Sequence, residues 1–460
     1  MTDIAAPPPA AAPGAIAART RRLVEAPILP LLLSMAWPNM LIMVAQAATG
    51  LIETWWISRL GTDALAGMAL VFPPVMLMTM ISAGAMGGGI SSAVARALGA
   101  GRREEADGLV LHAVVLNLAL GAAFSFVFLM FGRSIYGAMG ASGGALEAAL
   151  AYSDTVFAGI VFVWLMNALA SVIRGTGDML YPALVICMGV VFLIPASPLL
   201  IFGFGPVPGL GIAGGGVALT LFYAAGTIVM AWRVASGRNP ARFRWVRLRW
   251  APMKGILRVG AVSAIASIQT NLTIAGATAL VAAAAGVEAV AGFGTGARLE
   301  YLLIPLIFGI GAPLVALVGT NIGAGRGDRA LAIALLGGGL AFIVTEAIGI
   351  AAALWPAAWL SLFSDDPAMI AAGSQYLRIV GPAYGFFGLG MSLYFASQGA
   401  GRLFWPLASG SLRVALALGG GWLALALTGS LAALFAALAA ALVAYGLSIL
   451  AAVKSGAWFR

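Results

Sequence analysis

The chain has 460 residues, of which 62% are hydrophobic and 9% are charged, and its formal net charge is +9. Ordinary soluble domains carry roughly 25% charged residues, so this composition cannot cover a water-facing surface and excludes a soluble protein. Its apolar runs are about twice the length of barrel strands, which predicts an all-α polytopic membrane protein. The cations lie between apolar runs, which favours topology signals and contact with membrane lipids over nucleic-acid binding.

Several kinds of chemistry are excluded by what the sequence lacks. Cys187 is the only cysteine and His112 the only histidine, so the sequence offers neither an internal disulfide nor a usual zinc site. No G-x-x-x-x-G-K-[ST] motif occurs, because neither Lys254 nor Lys454 follows a glycine. A lone histidine with scattered serines gives no catalytic set. We therefore predict that the protein is not an enzyme and needs no cofactor, metal or nucleic acid.

In chain order, residues 1–26 are rich in Pro and Ala, which predicts a disordered cytoplasmic tail rather than a secretory signal. Apolar runs long enough to span a membrane follow, divided at Gly, Pro and charged residues. We predict twelve membrane helices at 30–57, 64–95, 108–132, 147–173, 181–203, 211–235, 256–284, 289–320, 329–354, 368–397, 404–427 and 430–453.

A block of cations divides these runs into two sets of six. From Arg233 to Arg258 the chain has eight cations and no carboxylate. If both termini are cytoplasmic, twenty cations fall in cytoplasmic segments and only Arg59 and Arg133 fall opposite, which predicts this orientation in the cell inner (plasma) membrane. The predicted parts are an N-terminal lobe (27–235), a basic cytoplasmic connector (236–255), a C-terminal lobe (256–453) and a cytoplasmic C-terminus (454–460).

The two halves of the sequence repeat each other. IRGTGDMLYPAL, from Ile173, matches SQGAGRLFWPLA, from Ser397, and ALGAGRREEA, from Ala97, matches NIGAGRGDRA, from Asn321. Both matches are 224 residues apart. Each copy contains an even number of helices, so the copies share one orientation and we predict a pseudo-two-fold axis along the membrane normal. Substrate would cross in a cleft between the lobes.

Short motifs in a fixed order accompany this repeat. They are GLIETWWISRLG followed by ALAG, GAGR in each half, RGTGD after the fourth helix, and PLLIFG with GLGIAGGG around the fifth and sixth. In these motifs the chain resembles the multidrug and toxin extrusion (MATE) family. The resemblance implies two six-helix lobes in a V, and a monomer that exports organic cations and drugs as protons or sodium ions flow inward. A related exporter or flippase of lipid or polysaccharide precursors is the alternative.

The first predicted helix carries a polar stripe. Asn39, Gln46 and Glu53 are spaced by seven, and Thr49 falls on the same face. A charged carboxylate inside a membrane costs a few kcal/mol or more, so Glu53 is a candidate to carry a proton. The resemblance places at Glu53 the acidic residue that binds the coupling ion. The alternative is an interfacial charge, since Arg59 lies about 9 Å further along the helix.

The remainder of the ion site that the resemblance implies is sparse. Where relatives often carry an Asn and an Asp before PLLIFG, this chain has Leu193 and Ser197, and the acidic positions on the seventh and tenth helices fall near Thr270 and Phe387. Asn167 on the fourth helix remains a possible contributor. With few oxygen ligands, we expect proton rather than sodium coupling.

The second lobe contributes Glu300 as a further candidate carboxylate. Arg298 and Glu300 are two residues apart and face different directions, so each is expected to have a partner on another helix, either in ion pairs that fix packing or in function. The predicted coupling residues are thus Glu53, Asn167 and Glu300. The substrate-cavity candidates are Asn39, Gln46, Thr49, Gln269, Asn271 and Arg298.

Overall fold

The structure is a computed structural model that describes residues 18–205, 207–456 and 458, and within them it is almost entirely helical. The first-half helices are α1 (Ala18–Glu25), α2 (Ile28–Ser58), α3 (Thr62–Thr79), α4 (Gly87–Gly99), α5 (Arg103–Ala138), α6 (Gly143–Ala158), α7 (Ile160–Gly175), α8 (Leu180–Phe202) and α9 (Ile212–Ala235). The second-half helices are α10 (Trp250–Ala284), α11 (Val287–Gly323), α12 (Gly327–Leu354), α13 (Pro356–Leu360), α14 (Pro367–Val380), α15 (Tyr384–Ala400), α16 (Phe404–Val414), α17 (Gly421–Thr428) and α18 (Leu431–Lys454).

The prediction of twelve membrane helices is confirmed. Among the described residues, eleven helical segments are long and apolar enough to cross a membrane. The twelfth span is the pair α6 and α7, which is bent by 45° where the two helices meet and passes the same test when taken as one span. Several segments are interrupted rather than straight: π-helical turns occur at Met80–Met86 and Ala415–Gly420, and a 3-10 turn at Gly381–Ala383. The structure also contains a hairpin of strands β1 (Gly203–Phe204) and β2 (Val207–Pro208), which the sequence did not predict.

The helices expose large apolar side chains, as expected for surfaces that face lipid. Phe126 is 62% exposed, Ile343 is 66% exposed and Leu51 is 74% exposed. On α5, the neighbouring residues Phe126, Val127, Leu129, Met130 and Phe131 are all at least 40% exposed. A large exposed apolar surface is uncommon in soluble monomers, and it agrees with the membrane assignment from composition.

The sequence repeat reappears as a repeated backbone turn. Gly101, between α4 and α5, has φ +73°, and Gly325, 224 positions later between α11 and α12, has φ +72°. In the first turn the N–H of Arg102 donates to the carbonyl of Ala97 at 2.9 Å. The equivalent bond in the second turn is 2.8 Å long. A left-handed φ favours glycine because a Cβ would be strained there, which explains why GAGR occurs in both halves.

The predicted disordered tail, 1–26, is wrong in its last part. Residues 1–17 lie outside the described residues, but α1 is helical. Leu23 and Val24 of α1 are only 3% and 2% exposed, and Arg19 forms a 3.0 Å ion pair with Asp178. Burial of the two apolar side chains and this ion pair hold α1 against the first half of the chain. The Pro and Ala content of the preceding residues concealed this short amphipathic segment.

The described residues form two compact units. The first consists of 18–25, Trp37–Ala261 and Gly323–Gly325, and the second of Ala26–Ala36, Val262–Ile322 and the chain from Arg326 onward. The predicted lobes, 27–235 and 256–453, therefore describe the main bodies of the units but not their edges. At the C-terminus, predicted as 454–460, α18 ends at Lys454, and residues 457, 459 and 460 lie outside the described part.

The basic connector belongs to the first unit, because it packs along α5. The N–H of Arg242 donates to Asp107 at 2.7 Å, and Arg244 forms a 3.0 Å ion pair with Glu104. Further along, the N–H of Arg249 donates to Nε2 of His112 at 2.9 Å. The connector is also shorter than the predicted 236–255, since α10 begins at Trp250.

Candidate functional site

Glu53 of α2 is buried inside the first unit. Its side chain is only 3% exposed, and the hydroxyl of Ser197, on α8, donates to Glu53 Oε2 at 2.9 Å. Ser197 is itself fully buried. The interfacial placement of Glu53, the alternative that the sequence left open, does not agree with this burial. We call the group formed by Glu53, Ser197 and their immediate neighbours the Glu53 site.

Two further helices close the Glu53 site. A methyl group added at Gly215, on α9, would lie 3.5 Å from Glu53 Oε2 and 3.6 Å from the ring of Tyr152, on α6. Tyr152 is 5% exposed, and Ile57, one turn after Glu53, is completely buried. These are ordinary van der Waals distances, so the α9 backbone at Gly215 packs beside the carboxylate and the tyrosine ring with room for a methyl group.

The Glu53 carboxylate has no countercharge among the described residues of its site. Among the residues that the structure describes, Glu53 has no ion pair with an arginine or lysine, and its hydrogen bond comes from a neutral hydroxyl. A buried carboxylate without a countercharge is costly when ionised. The site can lower that cost by binding a proton or a small cation, which is the behaviour that ion coupling requires.

The other residues of the predicted stripe on α2 differ in environment. Asn39 is fully buried, whereas Gln46 is exposed and Thr49 is half-buried. Thr49 donates to the carbonyl of Ala45 at 2.8 Å, within its own helix. The stripe is thus buried at its two ends, at Asn39 and Glu53, and open between them.

Asn167, the third predicted contributor in the first half, bonds elsewhere. Its amide donates to the hydroxyl of Ser82 at 3.0 Å, and Ser82 lies in the π-helical turn of the second span. Leu193 is 3% exposed and packs as an apolar residue. Ser197 replaces an acidic residue of relatives and was therefore not predicted as a ligand, but its hydroxyl is the direct partner of Glu53. Tyr152 could not be predicted as part of the site, since nothing in the spacing distinguishes that residue from other aromatics.

Glu300 of α11 has the partner on another helix that the sequence predicted. The Arg413 guanidinium, on α16, donates to Glu300 Oε1 at 2.6 Å, and the side chains of the pair are only 8% and 5% exposed. The guanidinium carbon also lies 4.9 Å from the ring centroid of Phe387 and 5.7 Å from that of Tyr445. Glu300 therefore differs from Glu53, because a buried cation already balances its charge.

The remaining candidates in the second unit make local contacts. Gln269 Nε2 donates to the hydroxyl of Ser411 at 2.9 Å and links α10 to α16. Asn271 is exposed and donates to the carbonyl of Ser267 in its own helix at 2.9 Å. Arg298 is exposed, with its guanidinium 5.7 Å from the ring centroid of Phe363. These three side chains do not converge on the Glu300 carboxylate.

A known protein family matches both halves of the chain. The family model described as MatE matches residues 38–199 and 263–423, one segment in each half of the repeat and most of the chain in total. The chain belongs to the MatE family. This family consists of membrane transporters, and the match confirms the predicted resemblance to the MATE family.

The names of relatives of this MatE chain indicate different functions. A protein of Shewanella oneidensis named FAD transporter is 28% identical over 380 residues, which is 82% of each chain. The probable multidrug resistance protein NorM of Deinococcus radiodurans is 30% identical over 375 residues, covering 76% of this chain and 77% of its own. The NorM of Thermotoga maritima is 26% identical over 383 residues, covering 82% and 81% of the two chains.

Solved structures show the same fold. An outward-facing multidrug resistance MATE transporter matches with a TM-score of 0.86 at 23% identity, covering 97% of this chain and 99% of its own. A MOP superfamily transporter from Pyrococcus furiosus, described as having a binding pocket of reversed polarity, matches with a TM-score of 0.85 at 22% identity and the same coverage. At this level of identity the likeness establishes the fold of the MatE chain.

Ser197 provides a first test of the Glu53 site. Replacing Ser197 with Ala removes the hydrogen bond to Glu53 without adding bulk, and a hydrogen bond to a charged group contributes about 1.5 kcal/mol. We expect initial transport rates to fall about tenfold, measured in proteoliposomes. Ser153→Ala is the matched control, since this buried serine contacts Tyr136 instead. Unchanged rates in Ser197→Ala would remove Ser197 from the site.

Proposed function

We propose that the protein is a secondary antiporter that exports organic cations and drugs across the inner membrane in exchange for protons. The observation that carries this proposal is the buried, uncompensated Glu53 within a MatE fold. The two NorM relatives, named as multidrug resistance proteins, support small amphiphilic cargo. Transport proceeds by alternating access between the lobes around a central site, and the protein works as a monomer with both termini in the cytoplasm.

Proton rather than sodium coupling follows from the ligands available at Glu53. Sodium and other hard cations need several oxygen ligands, whereas the Glu53 site presents one carboxylate and the Ser197 hydroxyl, which donates its proton to that carboxylate. Leu193 offers no oxygen side chain, and Asn167, whose Nδ2 donates to the Ser82 hydroxyl, forms no hydrogen bond with Glu53 among the described residues. A proton needs only the carboxylate itself.

The test uses everted membrane vesicles, whose cytoplasmic face points outward, with a fluorescent organic cation such as ethidium supplied outside them. Export from the cell then appears as uptake into the vesicles. We expect an imposed proton gradient to drive transport and an equal sodium gradient, at constant pH, to leave it unchanged. Vesicles from cells without the protein give the background. Transport driven only by sodium would reverse the choice of ion, and indifference to both gradients would defeat the antiporter proposal.

A second cargo class has specific support. The Shewanella oneidensis relative is named for FAD, a phosphate-bearing anion whose chemistry is closer to the lipid and polysaccharide precursors of the alternative function than to a drug cation. FAD offered to the same vesicles, with its own fluorescence as the signal, separates the two cargoes. Uptake of FAD without uptake of ethidium would replace the drug-export proposal by export of phosphate anions.

A further inference from the structure

A basic cavity lies beside the connector in the first unit, distant in sequence from Glu53. It has a volume of about 790 Å³ and is bounded by the end of α4, the start of α5, the connector and the first turns of α10. Pockets for small ligands typically measure about 300–1,000 Å³, so the volume suits a compact polar group. Its charged lining consists of Arg96, Arg102, Glu104, Glu105, Arg244, Arg247 and Arg249. We call this the connector cavity.

The charges of the connector cavity are not balanced internally. Arg102 forms a 2.7 Å ion pair with Glu105, and Arg244 pairs with Glu104, so both glutamates are already occupied. Arg247 and Arg249 are exposed, and their guanidinium groups have no hydrogen bond or ion pair with any residue in the described part of the chain. Two unpaired guanidinium groups therefore line the cavity. The planar guanidinium of arginine binds phosphate through two parallel hydrogen bonds.

A hydrogen bond to His112 fixes the connector backbone at Arg249. His112 Nδ1 lies 2.7 Å from the carbonyl of Gly108, and Nε2 accepts the N–H of Arg249. This geometry is that of a neutral imidazole that donates from Nδ1 and accepts at Nε2. Because α5 holds the Arg249 backbone through His112, the cavity wall is positioned before any ligand arrives.

Aromatic side chains mark the level of the cavity relative to the membrane. Trp245, which lines the cavity, is 83% exposed, and Trp250, at the first residue of α10, is 65% exposed. Leu248 between them is 48% exposed. Exposed tryptophans where apolar spans begin are typical of the headgroup layer of a bilayer, and arginines near that layer attract anionic lipids.

We propose that the connector cavity binds the phosphate headgroup of an anionic phospholipid, with Arg247 and Arg249 as its ligands. The free arginines recognise the phosphate, Trp245 and Leu248 contact the glycerol and upper acyl region, and His112 positions the connector. A soluble phosphate compound offers the same anion but no apolar part. The exposed aromatic and apolar side chains therefore favour the lipid.

The test measures lipids retained by the full-length protein in detergent, by native mass spectrometry. The probes are dioleoyl phosphatidylglycerol, dioleoyl phosphatidylcholine and inorganic phosphate. We expect the wild type to prefer phosphatidylglycerol over phosphatidylcholine by about tenfold or more, with no retention of inorganic phosphate. Equal retention of the two lipids would overturn the proposal, and inorganic phosphate that displaces phosphatidylglycerol at equal concentration would overturn the lipid as occupant.

Two variants with a matched control locate the site. Arg247→Gln with Arg249→Gln should abolish the preference, whereas Lys254→Gln with Arg258→Gln, which removes the same charge from exposed positions outside the cavity, should retain it. Equal losses in both double variants would indicate general surface charge and overturn the site.

A third variant leaves every charge in place, so it covers the case in which the arginine variants insert poorly. Gly255 lines the cavity on α10, and a Cβ added there meets no atom within 4 Å. Gly255→Leu should therefore fold normally, occupy part of the cavity and lower the lipid preference about tenfold. An unchanged preference in Gly255→Leu would place lipid binding outside the cavity and contradict the proposal.

Discussion

Replacing Glu53 with Gln is expected to reduce proton-driven efflux to the level of vesicles that lack the protein. Gln has nearly the same shape, and its carbonyl oxygen accepts the hydrogen bond that Ser197 donates to Glu53. The substitution therefore leaves packing in place and removes only the ability to bind and release a proton. Since a group that carries protons must change protonation state in each cycle, its loss affects coupling directly rather than through stability. The measurement is the uptake of ethidium into everted vesicles that an imposed proton gradient drives.

Two companion variants sharpen this result. Glu147→Gln makes the same chemical change at an exposed carboxylate, whose ion pair with Arg133 contributes little, and should transport as the wild type does. Glu53→Asp keeps a carboxylate but shortens its reach towards Ser197, so we expect slowed transport rather than background. Undiminished efflux by Glu53→Gln, with normal expression, would rule out a coupling role for Glu53.

The membrane helices could be predicted closely, because a chain that crosses a bilayer must form apolar helices of about 20 residues. Twelve apolar runs are each long enough to span a bilayer, and Gly, Pro and charges mark their ends. What the runs could not show is internal geometry. The bend between α6 and α7 occurs at Gly159, where an added Cβ would lie 2.2 Å from the hydroxyl of Thr220. This bend depends on the close approach of α9, a helix distant in sequence. The hydrophobic periodicity of a single segment carries no information about such an approach.

The candidate site could be predicted in part. Glu53 could be predicted because placing a charged carboxylate inside an apolar membrane helix is energetically costly, so such a residue is conspicuous in the sequence. Ser197 and Tyr152 could not be predicted as parts of the site. They belong to it only through contacts among residues of α2, α6 and α8, which are remote in sequence. His112 illustrates the same limit: as a single histidine it has no pattern, and its role appears only when the Arg249 backbone lies against it.

Breaking the Glu300–Arg413 pair is expected to give the largest loss of stability. Arg413→Met would leave the Glu300 carboxylate buried and unpaired, and removing one partner of a buried ion pair costs about 3–5 kcal/mol. Glu300→Met with Arg413→Met removes both charges and keeps apolar bulk among Phe387 and Tyr445, so it should recover most of that loss. Thermal unfolding in detergent, followed by intrinsic fluorescence, measures both variants.

The double variant also separates the two roles that the sequence left open for Glu300. If the pair mainly joins α11 to α16, the charge-free protein should be nearly as stable as the wild type and should retain most of its efflux. We expect this outcome, because a guanidinium 2.6 Å away already balances the Glu300 charge, whereas Glu53 has no such partner among the described residues. A double variant that is stable but does not transport would instead make Glu300 a second coupling residue. Arg413→Lys then distinguishes charge from geometry, since lysine keeps the charge but loses the planar fork that reaches Glu300 Oε1.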